Sequence, residues 1–150
     1  MAYGAAPDYG GYERQRADVD YRYGSESTQN AYGRFLSQQR GSRQLGDMDR
    51  SFRRSFPSFK AGFAQRGMSG PGINSGVMQQ SMNDYMGDYG RDFGRAQQDA
   101  TQQLQQFDLN QNQLDAWRQQ SIAGIESQKA NDIASAAQNL QLLKQLIGEL

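Results

Sequence analysis

After Pro71 the chain runs to Leu150 without another proline, and along that stretch apolar side chains recur at helical spacing. Proline is the residue that most reliably ends a helix. Its absence over such a length, combined with a 3.6-residue period, makes one continuous helix the simplest structure for 77–150. The row passes from Met78, Met82, Tyr85, Tyr89 and Phe93 into Ala96, Ala100, Leu104 and Phe107. It continues through Gln111, Leu114, Arg118, Ile122, Ile125, Lys129, Ile133, Ala136, Leu140, Leu143 and Ile147 to Leu150. From Ala96 onward its 15 steps average 3.6 residues, whereas a strict heptad averages about 3.5 and imposes a left-handed supercoil, so helices sharing this seam should run nearly straight. Polar Gln111, Arg118 and Lys129 sit on the seam, either as register-setting layers or as marks of a bend. The weak helical run "DLNQNQLD" allows one interruption near 110–120.

The first half carries a second face. Leu45, Met48, Phe52, Phe56, Phe59 and Phe63 are spaced by three and four, as one buried side of a helix requires. Pro57 lies within it, lacks an N–H and crowds the preceding turn, which predicts a break or kink near 55–57 with Pro57 restarting the helix. Upstream of "RGSRQ", Val19, Tyr23, Ala31 and Phe35 fall on a four-residue row interrupted by Ser27, so 13–66 reads as a set of helical segments. Residues 1–12, rich in Gly, Ala and Tyr with Pro7, read as an extended arm whose Tyr3, Tyr9 and Tyr12 would dock on a neighbour.

Between the halves stands "AQRGMSGPGINSGVMQQ". Gly67, Gly70, Pro71 and Gly72 stop one helix, and Asn74 or Ser75 can cap the next, so 67–76 reads as the bend of a hairpin. A phosphate-cradling loop would end in Gly-Lys-Ser/Thr, and a dinucleotide fingerprint would follow a strand. "GPGINSGV" has no lysine and follows a Phe-rich helix.

Only 36% of the residues are apolar, too few for a self-sufficient globule of this length. The expected architecture is therefore all-α: an elongated helical hairpin with an extended N-terminal arm, whose long C-terminal helix joins a coiled-coil-like oligomeric bundle. Its core and interface stripe comprises Phe52, Phe56, Phe59, Phe63, Phe93, Leu104, Phe107 and Leu114, then Trp117, Ile122, Ile125, Ile133, Leu140, Leu143 and Ile147. Glutamine pairs at 97–98, 102–103, 105–106 and 119–120 supply helix propensity without charge. The two halves carry opposite net charge, +4 over 1–75 and −4 over 76–150, which suits antiparallel packing.

Cysteine and histidine are both absent, which removes disulfides, thiol nucleophiles, imidazole bases and the usual transition-metal ligands. Asp84, Asp88, Asp92 and Asp99 line one side of a helix, a charged face for Arg91 or Arg95 to pair with, and nothing supplies a nucleophile beside them. The expectation is a protein with no catalytic residues, cofactor or metal. Residues 34–66 hold eight basic side chains and two acidic ones, and Arg40, Arg43, Arg50, Arg53 and Arg54 could contact nucleic acid or an acidic partner. No apolar run approaches the roughly 20 residues of a membrane span, and the start lacks the pattern of a signal peptide. The sequence thus reads as soluble and made in a cytoplasm.

The run "YGRFLSQQRGSRQLGDMDRSFRRSFPSFKAGFAQRGMSGPGINSGVMQQSMNDYMGDY", together with "IESQKANDIASAAQNLQLLK", resembles small glutamine-rich helical proteins encoded among the structural genes of long-tailed bacteriophages. The likeness spans about residues 8 to 145 and rests on the "RGMSGPGINSG" bend, the Tyr/Asp/Gln-rich helices and the Ile-Ala-x-Ala-Ala ending. It implies a virion component of the tail or head–tail region, made in the host cytoplasm, with itself and other virion structural proteins as partners. Two other classes fit the same residues: a nucleic-acid-associated internal or ejected virion protein, and an intracellular coiled-coil adaptor.

Overall fold

A computed structural model of the chain describes residues 9–70, 73–74 and 76–148. Two long helices dominate: α1 (Tyr9–Gln65) and α2 (Gly76–Gly148). They are joined through β1 (Ser69–Gly70) and β2 (Ile73–Asn74), a two-residue antiparallel ladder pairing Ser69 with Asn74 and Gly70 with Ile73. The fold is all-helical apart from that ladder. No helix among the described residues is long and apolar enough to cross a membrane.

α1 ends by a mechanism its local sequence dictates. Gly67 takes φ 73°, its N–H donates to the Ala64 carbonyl at 3.0 Å, and the Met68 N–H donates to the Phe63 carbonyl at 3.0 Å. This is the paired-bond Schellman termination, in which the left-handed residue lets two otherwise orphaned carbonyls be satisfied. Gly67 is thus the residue that turns the chain. Of the other bend residues, Gly70 enters the ladder, while Pro71, Gly72 and Ser75 lie outside the described residues.

The chain divides into two compact units, Tyr32–Asp108 and the set formed by residues up to 31 with those from 109 onward. Within the first, α1 and α2 run antiparallel in a register read from successive facing residues: Phe52 with Tyr89, Gly41 with Ala100, Ser37 with Gln103 and Gly33 with Phe107. Ala96 is the one buried apolar side chain among the described residues, at 9% exposure. The helices approach most closely where small residues allow it. A Cβ built on Gly33 would stand 2.8 Å from Phe107 Cε1, and one on Gly41 would stand 3.0 Å from Ala100 Cβ.

Within the second unit the register is again antiparallel, from Tyr12 bonded to Asp132, through Arg16 with Glu126 and Asp20 with Arg118, to Asn30 with Gln111. Beyond Tyr12 only residues 9–11 of α1 remain, less than a turn, whereas α2 continues from 133 to 148, about 24 Å of helix. Only the start of that stretch can lie beside described residues of α1.

Three expectations differ from this structure. An extended arm over 1–12 does not fit, because α1 already includes Tyr9–Tyr12, and Tyr12 bonds Asp132; residues 1–8, with Tyr3, lie outside the described residues. No segment boundary occurs at "RGSRQ", because Gly41 serves close approach to Ala100 rather than a turn. α1 also continues through Pro57 instead of restarting there. Phe52, Phe56 and Phe59, on both sides of the proline, all stack on Tyr85, and this shared anchor holds the helix through the missing hydrogen bond. The interruption that the sequence allows near 110–120 does not occur: α2 is continuous there, and Gln111, Asp115 and Arg118 are held by bonds to α1.

The row Val19, Tyr23, Ala31, Phe35 does not form one buried face either. Steps of four advance a helix by 40° beyond a full turn each time, so a strict four-residue row winds off the interface. Val19 and Tyr23 are partly buried, Ala31 is exposed and Phe35 is 58% exposed. The residues that face α2 are instead Tyr23, Ser27, Asn30, Gly33, Ser37 and Gly41, with mixed steps of three and four.

Candidate functional site

Three surfaces carry distinctive chemistry. The first is the aromatic seam of the Tyr32–Asp108 unit. Phe52 stacks on Tyr89 at 4.1 Å between ring centroids, and Phe59 stacks on Tyr85 at 4.5 Å. Phe56 lies 5.3 Å from Phe52, Phe63 meets Phe59 edge-on at 5.2 Å, and Phe93 lies 5.6 Å from Tyr89. Offset ring pairs at such separations contribute about 0.5–1.5 kcal/mol beyond their buried area. The Ser55 and Tyr85 hydroxyls meet at 2.5 Å, so the polar end of that tyrosine is satisfied as well. Four phenylalanine–tyrosine ring pairs therefore join α1 to α2 just below the bend, and all of these rings are partly buried.

The second is a polar layer in the other unit. Tyr23 donates its hydroxyl proton to Asp115 at 2.6 Å, and Gln111 donates to the same carboxylate at 3.1 Å and to the Tyr23 oxygen at 3.3 Å. Ser27 and Asn30 both donate to the Gln111 carbonyl, at 3.2 and 3.3 Å. Arg118 binds Asp20 through two nitrogens, at 2.9 and 2.8 Å, and its guanidinium lies 4.9 Å over the Tyr23 ring. Trp117 carries the Arg22 guanidinium 5.0 Å over its face, and Arg22 is in turn paired with Glu26 at 2.8 Å.

The Asp115 carboxylate, together with desolvation, raises the Tyr23 pKa above its ordinary value of 10.0. A tyrosine acting as a general base needs the opposite shift. What the layer does supply is registry. Asp115 and Gln111 bond each other within α2, but their partners on α1 are present only when Tyr23, Ser27 and Asn30 stand opposite, and a slip of one residue would separate every pair between the helices.

The third surface is charged and apolar in turn. Arg50 and Arg53 are paired with Asp47 and Asp49 along α1, while Arg40, Arg43 and Arg54 are exposed with no acidic partner among the described residues. Asp88 pairs with Arg91 and Asp92 with Arg95, each one turn apart, so that acidic row forms local ion pairs. Among the described residues no group of three or more acidic side chains converges to a metal-sized site.

The interface stripe splits along its length. Leu104, Phe107, Leu114, Trp117, Ile122 and Ile125 are partly buried within their own unit. Ile133, Leu140, Leu143 and Ile147 are exposed, Leu140 at 59% and Ile147 at 70%.

Apolar spacing pointed to the Phe face and to the seam of α2. It missed Asp20, Ser27, Asn30 and Asp115, because their value lies in hydrogen bonds across the helix pair rather than in hydrophobicity. Their three-and-four spacing was the available signal, a polar continuation of the stripe that ends in the phenylalanines.

No family model, no curated protein and no solved structure matches the chain.

Proposed function

We propose that the chain is a non-enzymatic structural component of a bacteriophage virion, a tail, tail-tip or connector protein that assembles by helix packing with copies of itself and with neighbouring subunits. The observation that carries this reading is the distribution of apolar surface. Only Ala96 is buried among the described residues, while a run of leucines and isoleucines on α2 faces outward. Helices with so thin a core gain most of their stability from packing against something else, and copies within a particle are the economical source of that cover. The aromatic seam and polar layer fix the helices locally in one register, as a repeated building element needs. Such a protein is made in the host cytoplasm and resides in the virion. Mass spectrometry of purified particles tests the proposal: the chain should be present in fixed stoichiometry, and its absence would remove the reading.

A second reading follows from Arg40, Arg43 and Arg54, whose exposed guanidinium groups are suited to phosphate: an internal virion protein travelling with nucleic acid. Here DNA affinity should fall steeply with added salt and drop further in the triple alanine variant. No binding at low salt eliminates this reading.

A further inference from the structure

The seam of α2 extends past the described residues of α1. From Leu104 to Arg118, beside α1, its steps are three, four, three and four. From Ile133 the same steps recur, through Ala136, Leu140 and Leu143 to Ile147. That is a strict heptad seam, the spacing that already serves a helix partner within the chain. It begins one residue past Asp132, the partner of Tyr12 near the start of α1.

We propose that 133–147 is a self-association site, occupied by the same segment of a second copy in a parallel two-stranded coiled coil. This rests on the reading that the protein works as one of several copies, and it names the surface they share. Three observations select the occupant. A heptad seam matches another helix, because knobs spaced by 3.5 residues seat in the holes of a supercoiled partner. Ile133, Leu140 and Ile147 occupy one core position and Ala136 and Leu143 the other; isoleucine at the first with leucine at the second favours two parallel strands, a rule that Ile133, Ile147 and Leu143 follow and Leu140 and Ala136 do not. Charge points the same way. Lys144 is the only ionisable side chain between Ile133 and Gly148, so two copies meet without repulsion and a charged foreign partner finds nothing to pair with.

The face is also continuous with the one that Ile122 and Ile125 bury within the chain, so the helix is already formed when the copies meet. Residues 1–8 are a poorer match. As a helix they would reach only about 12 Å, half of the stretch, and they include Gly4 and Pro7. Two heptads bury less than the roughly 1,200 Å² of a standard interface, so the dimer should form in the micromolar range.

Sedimentation equilibrium of the purified full chain tests this. Wild type should dimerise with a dissociation constant of about 1–100 µM. The double variant Leu140→Lys, Leu143→Lys should weaken it by at least about tenfold, while Leu109→Lys, also on an exposed residue of α2 but off the seam, should leave it unchanged. Because the chain has no cysteine, Ile147→Cys reports orientation: in a parallel pair the two introduced thiols face each other and oxidise to a disulfide-linked dimer. A monomer at every concentration, its seam covered by its own residues 1–8 or left bare, overturns the proposal. So does cross-linking through Leu140→Cys but not Ile147→Cys, which marks an antiparallel pair. Either result leaves the protein's presence in virions intact, and a dimer absent from virions would overturn only the particle assignment.

Discussion

Gly33 and Gly46 lie on the same helix in the same unit, and replacing each by alanine should have opposite consequences. A glycine-to-alanine change inside a helix gains about 1 kcal/mol from backbone entropy alone. At Gly46 nothing lies within 4 Å of the new methyl group, so that gain should appear undiminished. At Gly33 the methyl would stand 2.8 Å from Phe107 Cε1 and 3.3 Å from Cζ. Ordinary carbon contacts are about 3.5–4.0 Å, so the ring or the helix must retreat by roughly 0.7–1.2 Å, and overpacking of this kind costs about 1–3 kcal/mol. Propensity cancels between the two variants, so their difference isolates the packing cost. Urea and thermal unfolding followed by circular dichroism, at one fixed protein concentration, should place Gly33→Ala about 1–3 kcal/mol below Gly46→Ala. At roughly 3 °C per kcal/mol for a chain of this length, the midpoints should split by about 3–9 °C. Phe107→Leu in the Gly33→Ala background should recover part of the loss. If the two alanine variants agree within about 0.5 kcal/mol, the close approach of α1 and α2 at this level is wrong.

Other expectations follow from named contacts. Phe52→Ala loses stacks on Phe56, Tyr85 and Tyr89 and should cost about 2–3 kcal/mol, whereas Phe35→Ala should stay within about 0.5 kcal/mol in the same unfolding assay. Equal losses would restore the four-residue row that the structure rejects. Gly67→Ala forces a side chain into the left-handed region and should cost about 1–2 kcal/mol in urea unfolding, with Gly67→Asn milder; no loss would remove the helix-ending role of Gly67. Folding raises the Tyr23 pKa, so the folded state holds that proton when the unfolded state has begun to release it. Its contribution is therefore complete below pH 10 and declines as pH rises through the raised value. Wild type should lose stability relative to Tyr23→Phe across that window, and parallel curves would contradict the bond to Asp115.

Much of this molecule could be read from residue spacing, and the misses have physical causes. The unbroken run from Gly76 to Gly148 and the Phe face of 52–63 follow from period and the lack of proline, both local properties. Pro57 misleads because its penalty is local, while the stacking of Phe52, Phe56 and Phe59 on α2 is tertiary and larger. The polar layer is hidden from any count of apolar letters: Gln111 and Arg118 look like flaws in a seam until Tyr23, Ser27 and Asp20 stand opposite. Likewise Gly33 and Gly41 resemble helix breakers, and only the nearness of Phe107 and Ala100 shows that they set a spacing. The stripe itself is visible along its length, but not which part of it the described residues of α1 cover.

Whether these helices need company can be measured directly by melting the purified full chain over a hundredfold range of concentration. Association stabilises by mass action, so the midpoint should climb as concentration rises, and the Leu140→Lys, Leu143→Lys variant should lose that climb. A compact monomer that melts cooperatively at the same temperature throughout would show that the sparse core suffices, and the claim that copies cover α2 would fail.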